Sequence, residues 1–104
     1  MSKPKWAHIV MNEGYDPERH KARFDTQIRE GHMLTVRNPA EAVELAKKLA
    51  DEGFGAIEVC GAFGPELAKE MYEATGRRVP VSYVVAAPDE LEQVLAFWHG
   101  KETT

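Results

Sequence analysis

The chain reads as a single small α/β domain built on a mainly parallel sheet of four to five strands with three main helices. Three observations predict this. Short β-rich apolar runs alternate with segments of helical period, as in strand–helix–strand units. Glycines and prolines fall at the boundaries between them. The 104 residues, 43% apolar and 29% charged, suit one modest core and one domain over 1–104, with 1–5 and 101–104 as tails.

Trp6 to Met11 is apolar apart from His8, the pattern of a strand covered on both faces. Asn12 to Pro17 breaks it, and Asp16 is placed to cap a short helix opening at Pro17. Ala22 to Arg37 has two readings. Ala22, Phe24, Thr26 and Ile28 alternate with polar residues, so a hairpin over 22–37 with its turn at Arg29-Glu30-Gly31 follows the short helix; alternatively, the helix continues to Ile28.

Asn38-Pro39-Ala40-Glu41 is a helix start, with a capping side chain, a proline in the first turn and an acid three residues after the cap. Ala42, Val43, Ala46, Leu49 and Ala50 give this helix one apolar face, and Gly53 suits its left-handed end. A strand over Ala56–Cys60 follows. The next helix opens at Pro65, buries Leu67, Ala68, Met71 and Tyr72, and stops at Gly76. Val79 to Val85 is a strand in which Pro80 indicates an edge. The last helix opens at Pro88-Asp89-Glu90, carries a stripe of Leu91, Val94, Leu95 and Trp98, and stops at Gly100. Phe97 falls beside that stripe and widens it beyond what one sheet face needs, which predicts a homo-oligomer.

The net charge is −4 with acids and bases interleaved, which disfavours nucleic acid. No apolar run approaches the roughly 20 residues that span a bilayer, so no membrane partner is expected. The single cysteine excludes an internal disulfide. With no secretory h-region behind Met-Ser-Lys-Pro-Lys, the expected compartment is the cytoplasm. His8, His20, His32 and His99 lack metal-ligand spacing, so no metal is expected, and no cofactor motif is present.

The candidate site is the turn Gly61-Ala62-Phe63-Gly64-Pro65, between a strand and a helix. Gly61 and Gly64 permit close backbone approach, Gly61 being the position where a left-handed conformation would matter. A helix N-terminus favours an anion. In parallel sheets ligands bind beyond the carboxyl ends of strands. That edge gathers Asn12, Tyr15, Arg37, Cys60, Gly61, Ala62, Phe63 and Gly64 around an anionic metabolite, a phosphate or carboxylate. The other reading of the turn is a tight connection and nothing more. Cys60 reads as a small buried hydrophobe ahead of a nucleophile. Glu58 shares its strand face with Cys60, and Arg37 is its expected ion-pair partner. Any chemistry would be acid–base, with Glu58 or His20 as base, and a His20–Cys60 pair is a minor alternative. Tyr15 and Phe63 either wall a pocket or cap the core.

Three blocks, Ile-Val-Met-x-x-Gly-Tyr-Asp-Pro-Glu-x-His, Asn-Pro-Ala-Glu-Ala-Val and Glu-Val-Cys-Gly-Ala-Phe-Gly-Pro, resemble a small prokaryotic family of stand-alone α/β domains of unknown function. The likeness spans about residues 6 to 85, and the Cys-Gly-x-Phe-Gly-Pro block is its most specific part. It implies a compact α/β fold and transfers no catalytic residue. The competing functional expectation is a non-enzymatic, homo-oligomeric interaction protein with no small-molecule site.

Overall fold

The computed structural model describes residues 3–99. Gly100, read as a helix stop, and the tail at 101–104 lie outside them. The central strand is β1 (Lys5–Met11), which pairs in parallel with β3 (Glu30–Val36) on one side and β4 (Ala56–Val59) on the other. The edges are β2 (Ala22–Asp25), antiparallel to β3, and β5 (Val81–Tyr83), parallel to β4. The order is β2-β3-β1-β4-β5. The mainly parallel five-stranded sheet agrees with the sequence reading.

Two helices connect the parallel strands. From β3 the chain crosses β1 through α1 (Pro39–Asp51) to β4, and from β4 through α2 (Gly64–Ala74) to β5. Both crossovers travel in the same direction across the sheet. Right-handed connection therefore places both helices on one face, where they pack on each other. Between them and the sheet lies the core of Ala7, Ile9, Val36, Ile57 and Val59, met by Ala42, Ala46 and Leu49 of α1 and Ala68 and Met71 of α2.

The local signals explain the helix ends. Asn38 accepts a 2.9 Å hydrogen bond from the Glu41 N–H, and Gly53 ends α1 at φ 90. Gly76 follows α2 at φ 74. Beside it, fully buried Thr75 donates through Oγ1 to the Tyr72 carbonyl at 2.7 Å and accepts from the N–H groups of Arg78 and Val79.

From β1 the chain turns the other way, through residues 12–21 at the carboxyl end of the sheet, into the antiparallel edge strand β2. Thr35 donates at 2.8 Å to the carbonyl of His20, its neighbour in the continued β2–β3 register. Yet this connection forms no helix. Asp16 caps a single turn, accepting from the Glu18 N–H through Oδ1 and from the Arg19 and His20 N–H groups through its carbonyl. Residues 22–25 take the strand reading, and the hairpin turns at Thr26 to Arg29, with the Thr26 hydroxyl donating to the Arg29 carbonyl. Of the turn expected at Arg29-Glu30-Gly31, Arg29 does close the turn, whereas Glu30 and Gly31 belong to β3, paired with Asp25 and Phe24. Lys3, inside the tail expected over 1–5, reaches Asp25 and the Thr26 carbonyl, and Lys5 already belongs to β1.

The expectation that β1 is covered on both faces is therefore corrected. Its second face, with Trp6, His8 and Val10, has no helical layer, and Trp6 shelters itself by lying across Gly31. The last helix is also misread in part. After one 3-10 turn at Pro88–Glu90, α3 (Leu91–Trp98) buries no residue and touches chiefly the turn before it. The radius of gyration, 14.8 Å, exceeds the roughly 12.9 Å of a compact domain of this length.

Thr75→Val keeps the shape of the buried side chain but strands the buried Val79 N–H. Chemical melts are expected to show a loss of about 1–3 kcal/mol; an unchanged midpoint would mean that α2 ends without this bond.

Candidate functional site

The strand order has a switch point between β1 and β4, since the chain leaves β1 towards β3 and returns across it to β4. Such points open a crevice at the carboxyl ends of the strands. Here that position is bounded by Asn12 after β1 and by Cys60 to Gly64 between β4 and α2, joined where the Cys60 N–H donates to the Ile9 carbonyl at 3.2 Å. Asn12 is anchored by its own turn, accepting from the Gly14 N–H through Oδ1 at 2.7 Å and from the Tyr15 N–H through its carbonyl.

The turn is closed by the Phe63 N–H donating to the Cys60 carbonyl at 3.1 Å. Phe63 is buried in the core, so of its two readings it caps the core. Gly61 and Ala62 are exposed. The left-handed residue is Gly64, at φ 72; Gly61 has no positive φ, which corrects the conformational reading of that position. What a side chain at Gly61 would meet is the Val84 carbonyl, 3.3 Å from the built Cβ. The close approach there is to the chain running out of β5.

The two helices that start on this edge differ at their N-termini. That of α1 is closed by Asn38 and by a pair in which Arg37 holds Glu41 through Nε, Nη2 and its backbone N–H at 2.6–3.0 Å. The bond and charge of Arg37 hold the Glu41 carboxyl below its ordinary range, and Glu41 in turn raises the guanidinium. The first turn of α2 has no side-chain cap. Among the described residues the N–H groups of Gly61, Ala62 and Gly64 meet no acceptor.

Several expected partnerships do not form. Arg37 is occupied by Glu41, so it does not pair with Glu58; sequence proximity on the helix start prevails. Glu58 instead faces its register partner, with His8 Nδ1 3.6 Å from Oε1 on the open face. His20 is held within its own loop, accepting the Asp16 N–H through Nδ1 at 2.8 Å with its ring edge-on to Tyr15. It stands beside β3 in line with β2, so β3 and β1 separate it from β4 and Cys60, and the two do not pair. Cys60 is half-buried against the core. Among the described residues no His, Cys, Asp and Glu cluster could hold a metal ion.

A cleft of about 470 Å³ opens beside the same edge, lined among others by Asp16, Glu18, Arg37, Glu41 and Glu44. Its carboxylates outnumber the one guanidinium, which is already paired. It disfavours an anion.

Sequence reasoning missed a polar cluster at the opposite end of the strands. Glu30 and His32 share a strand face, and Glu30 Oε2 takes bonds from His32 Nε2 at 2.8 Å and Arg23 Nε at 3.0 Å. His32 also packs edge-on against Phe54. The bond from His32 and then that from Arg23 lower the Glu30 carboxyl to about 2. The i, i+2 spacing in a strand was its only sequence signal. The cluster ties the β2–β3 hairpin together.

These features define a small α/β domain with a parallel sheet covered by helices on one side and a switch-point crevice at its carboxyl edge. Residues 4–99 match DUF6506, a family of unknown function, and the chain belongs to that family. No curated protein and no solved structure matches the chain. No helix of the described residues is long and apolar enough to cross a membrane.

Gly64→Ala forces a Cβ onto a left-handed backbone and is expected to cost about 1–2 kcal/mol; Gly61→Ala, which asks only a small shift of the Val84 carbonyl, should cost less in the same urea melts. Equal losses would show that the left-handed residue does not dominate the turn. For Glu30, the lowered folded pKa means that its stabilisation is complete above the ordinary 4.5 and is lost as pH falls towards about 2. Glu30→Gln is expected to be less stable than the parent at neutral pH, with the gap closing across that window. A gap that persists at pH 2 would trace it to packing.

Proposed function

We propose that this domain binds a small anion, a carboxylate or a single phosphate group of a metabolite, at the crevice between β1 and β4. The carrying observation is the open first turn of α2: an uncapped helix start at the switch point, with the N–H groups of Gly61, Ala62 and Gly64 unclaimed. A helix start of this kind presents both donors and a positive partial charge. Pro65 contributes no donor. Asn12 flanks the site with its amide Nδ2, its Oδ1 being used by Gly14. Tyr15 stands on the loop beside it.

Among the described residues of this edge the one arginine, Arg37, is neutralised by Glu41, so the ligand meets backbone donors there. Backbone donors alone suit one anionic group and give modest affinity; a polyphosphate would need a lysine or arginine. No catalytic residue is assigned: the His8–Glu58 pair lies on the sheet face, and His20 is tied into its loop. The single cysteine and even charge distribution support a cytoplasmic setting.

The test is a thermal-shift screen of carboxylated and phosphorylated metabolites, followed by amide-resolved NMR titration. A ligand at 100 times its Kd should add about 2.7 kcal/mol of stability. The expected result is amide shifts centred on Gly61, Ala62 and Gly64. Shifts centred on the acidic cleft at Glu41 and Glu44, or no stabilisation by any compound, would overturn the reading.

A further inference from the structure

The chain carries two unpartnered apolar surfaces. One is the sheet face opposite α1 and α2, where Phe24, Met33, Trp6, Val10 and Val84 surround the His8–Glu58 pair on the side away from the helices. Phe24 and Met33 are 63% and 42% exposed there. Parallel strands are as a rule covered on both faces, and here no helix of the described residues covers this one. The other surface is α3. Leu91, Val94, Leu95 and Trp98 form a helical stripe with spacings of three, one and three residues, and Leu95 and Trp98 are 44% and 75% exposed. An isolated helix shorter than about 12–15 residues is marginal in water, and α3 has eight, so it needs a surface to lie on.

We infer that the occupant of each surface is a second copy of this chain: the two copies form a symmetric dimer in which each α3 lies across the open sheet face of the other. One chain holds both halves of the contact, a sheet lacking a helix and a helix lacking a sheet, so a two-fold axis closes the assembly. The area agrees. The chain exposes 7241 Å², where a compact monomer of 11.7 kDa exposes about 5,900 Å². Most of the large apolar side chains that the described residues expose lie on these two faces, and a standard stable interface takes roughly 800 Å² from each partner. The reach agrees as well. Val84 to Ala87 form no helix or sheet element between β5 and the 3-10 turn, and four extended residues span about 13 Å, enough to step off the sheet edge onto a neighbour. The aromatic content, with Trp6 and Phe24 on the sheet and Phe97 and Trp98 on the helix, is that of an interface centre.

Light scattering on the full chain at micromolar concentration tests the assembly, and complementation tests its geometry. The expected mass is twice 11.7 kDa. Leu95→Glu with Trp98→Glu, and separately Phe24→Glu with Met33→Glu, alter exposed positions. Each double variant should keep its far-ultraviolet circular dichroism while its dimer weakens by on the order of 100-fold. Mixed together, the two variants should form a heterodimer, because the intact α3 of the sheet variant meets the intact sheet of the helix variant. A single-chain mass for the parent overturns the inference. So does a parent dimer whose variants stay dimeric, and so does a mixture that gives no heterodimer, which is the outcome if α3 pairs with α3 or folds back on its own sheet.

Discussion

The handedness of the crossovers organises this molecule. With β1 in the centre and β4 and β5 added in the same direction, right-handed connection leaves α1 and α2 only one face to occupy. The core follows from that. Ile9, Ile57 and Val59 turn towards the helices, and the alanines Ala42 and Ala46 let α1 settle closely on them. No helix of the described residues covers the opposite face, so the sheet is left half covered.

Electrostatics decide less about the fold than about what the crevice can hold. Arg37–Glu41 and Arg77–Glu73, four residues apart, and Arg78–Asp51, which joins the end of α1 to the turn after α2, are largely exposed pairs of the kind that each contribute at most about 1 kcal/mol. Their larger effect is to occupy arginines. The carboxyl edge keeps an acidic cleft on the α1 side and, on the α2 side, bare backbone donors. Any anion recognised there is met by the peptide chain and the helix dipole.

Much of the candidate site was legible because its signals are local. The capping side chain of Asn38, the left-handed Gly53 and Gly76, and the alternation that separates Ile57 and Val59 from Glu58 and Cys60 all depend on neighbours within a few residues. The strand-to-helix turn at 61–65 is of the same kind. The partnerships were not legible. Arg37 and Glu58 are plausible partners in charge, but the four-residue reach from Arg37 to Glu41 is shorter and leaves nothing for Glu58. The His8–Glu58 approach depends on the register of β1 against β4, and the link between Glu30 and Arg23 on the register of β2 against β3. Register is a tertiary property.

The sequence by itself therefore determined the alternation of strands and helices, the caps, the helix stops and the α/β class, since each rests on backbone sterics and short-range hydrogen bonds. It also marked the apolar stripe of the last helix. Only the tertiary structure decided that this stripe is left largely exposed, that β1 has no helix over one side among the described residues, and that Gly64 rather than Gly61 takes the left-handed turn. Periodicity tells how much apolar surface an element must hide. It does not tell what will hide it, because that depends on where the crossovers place the other elements.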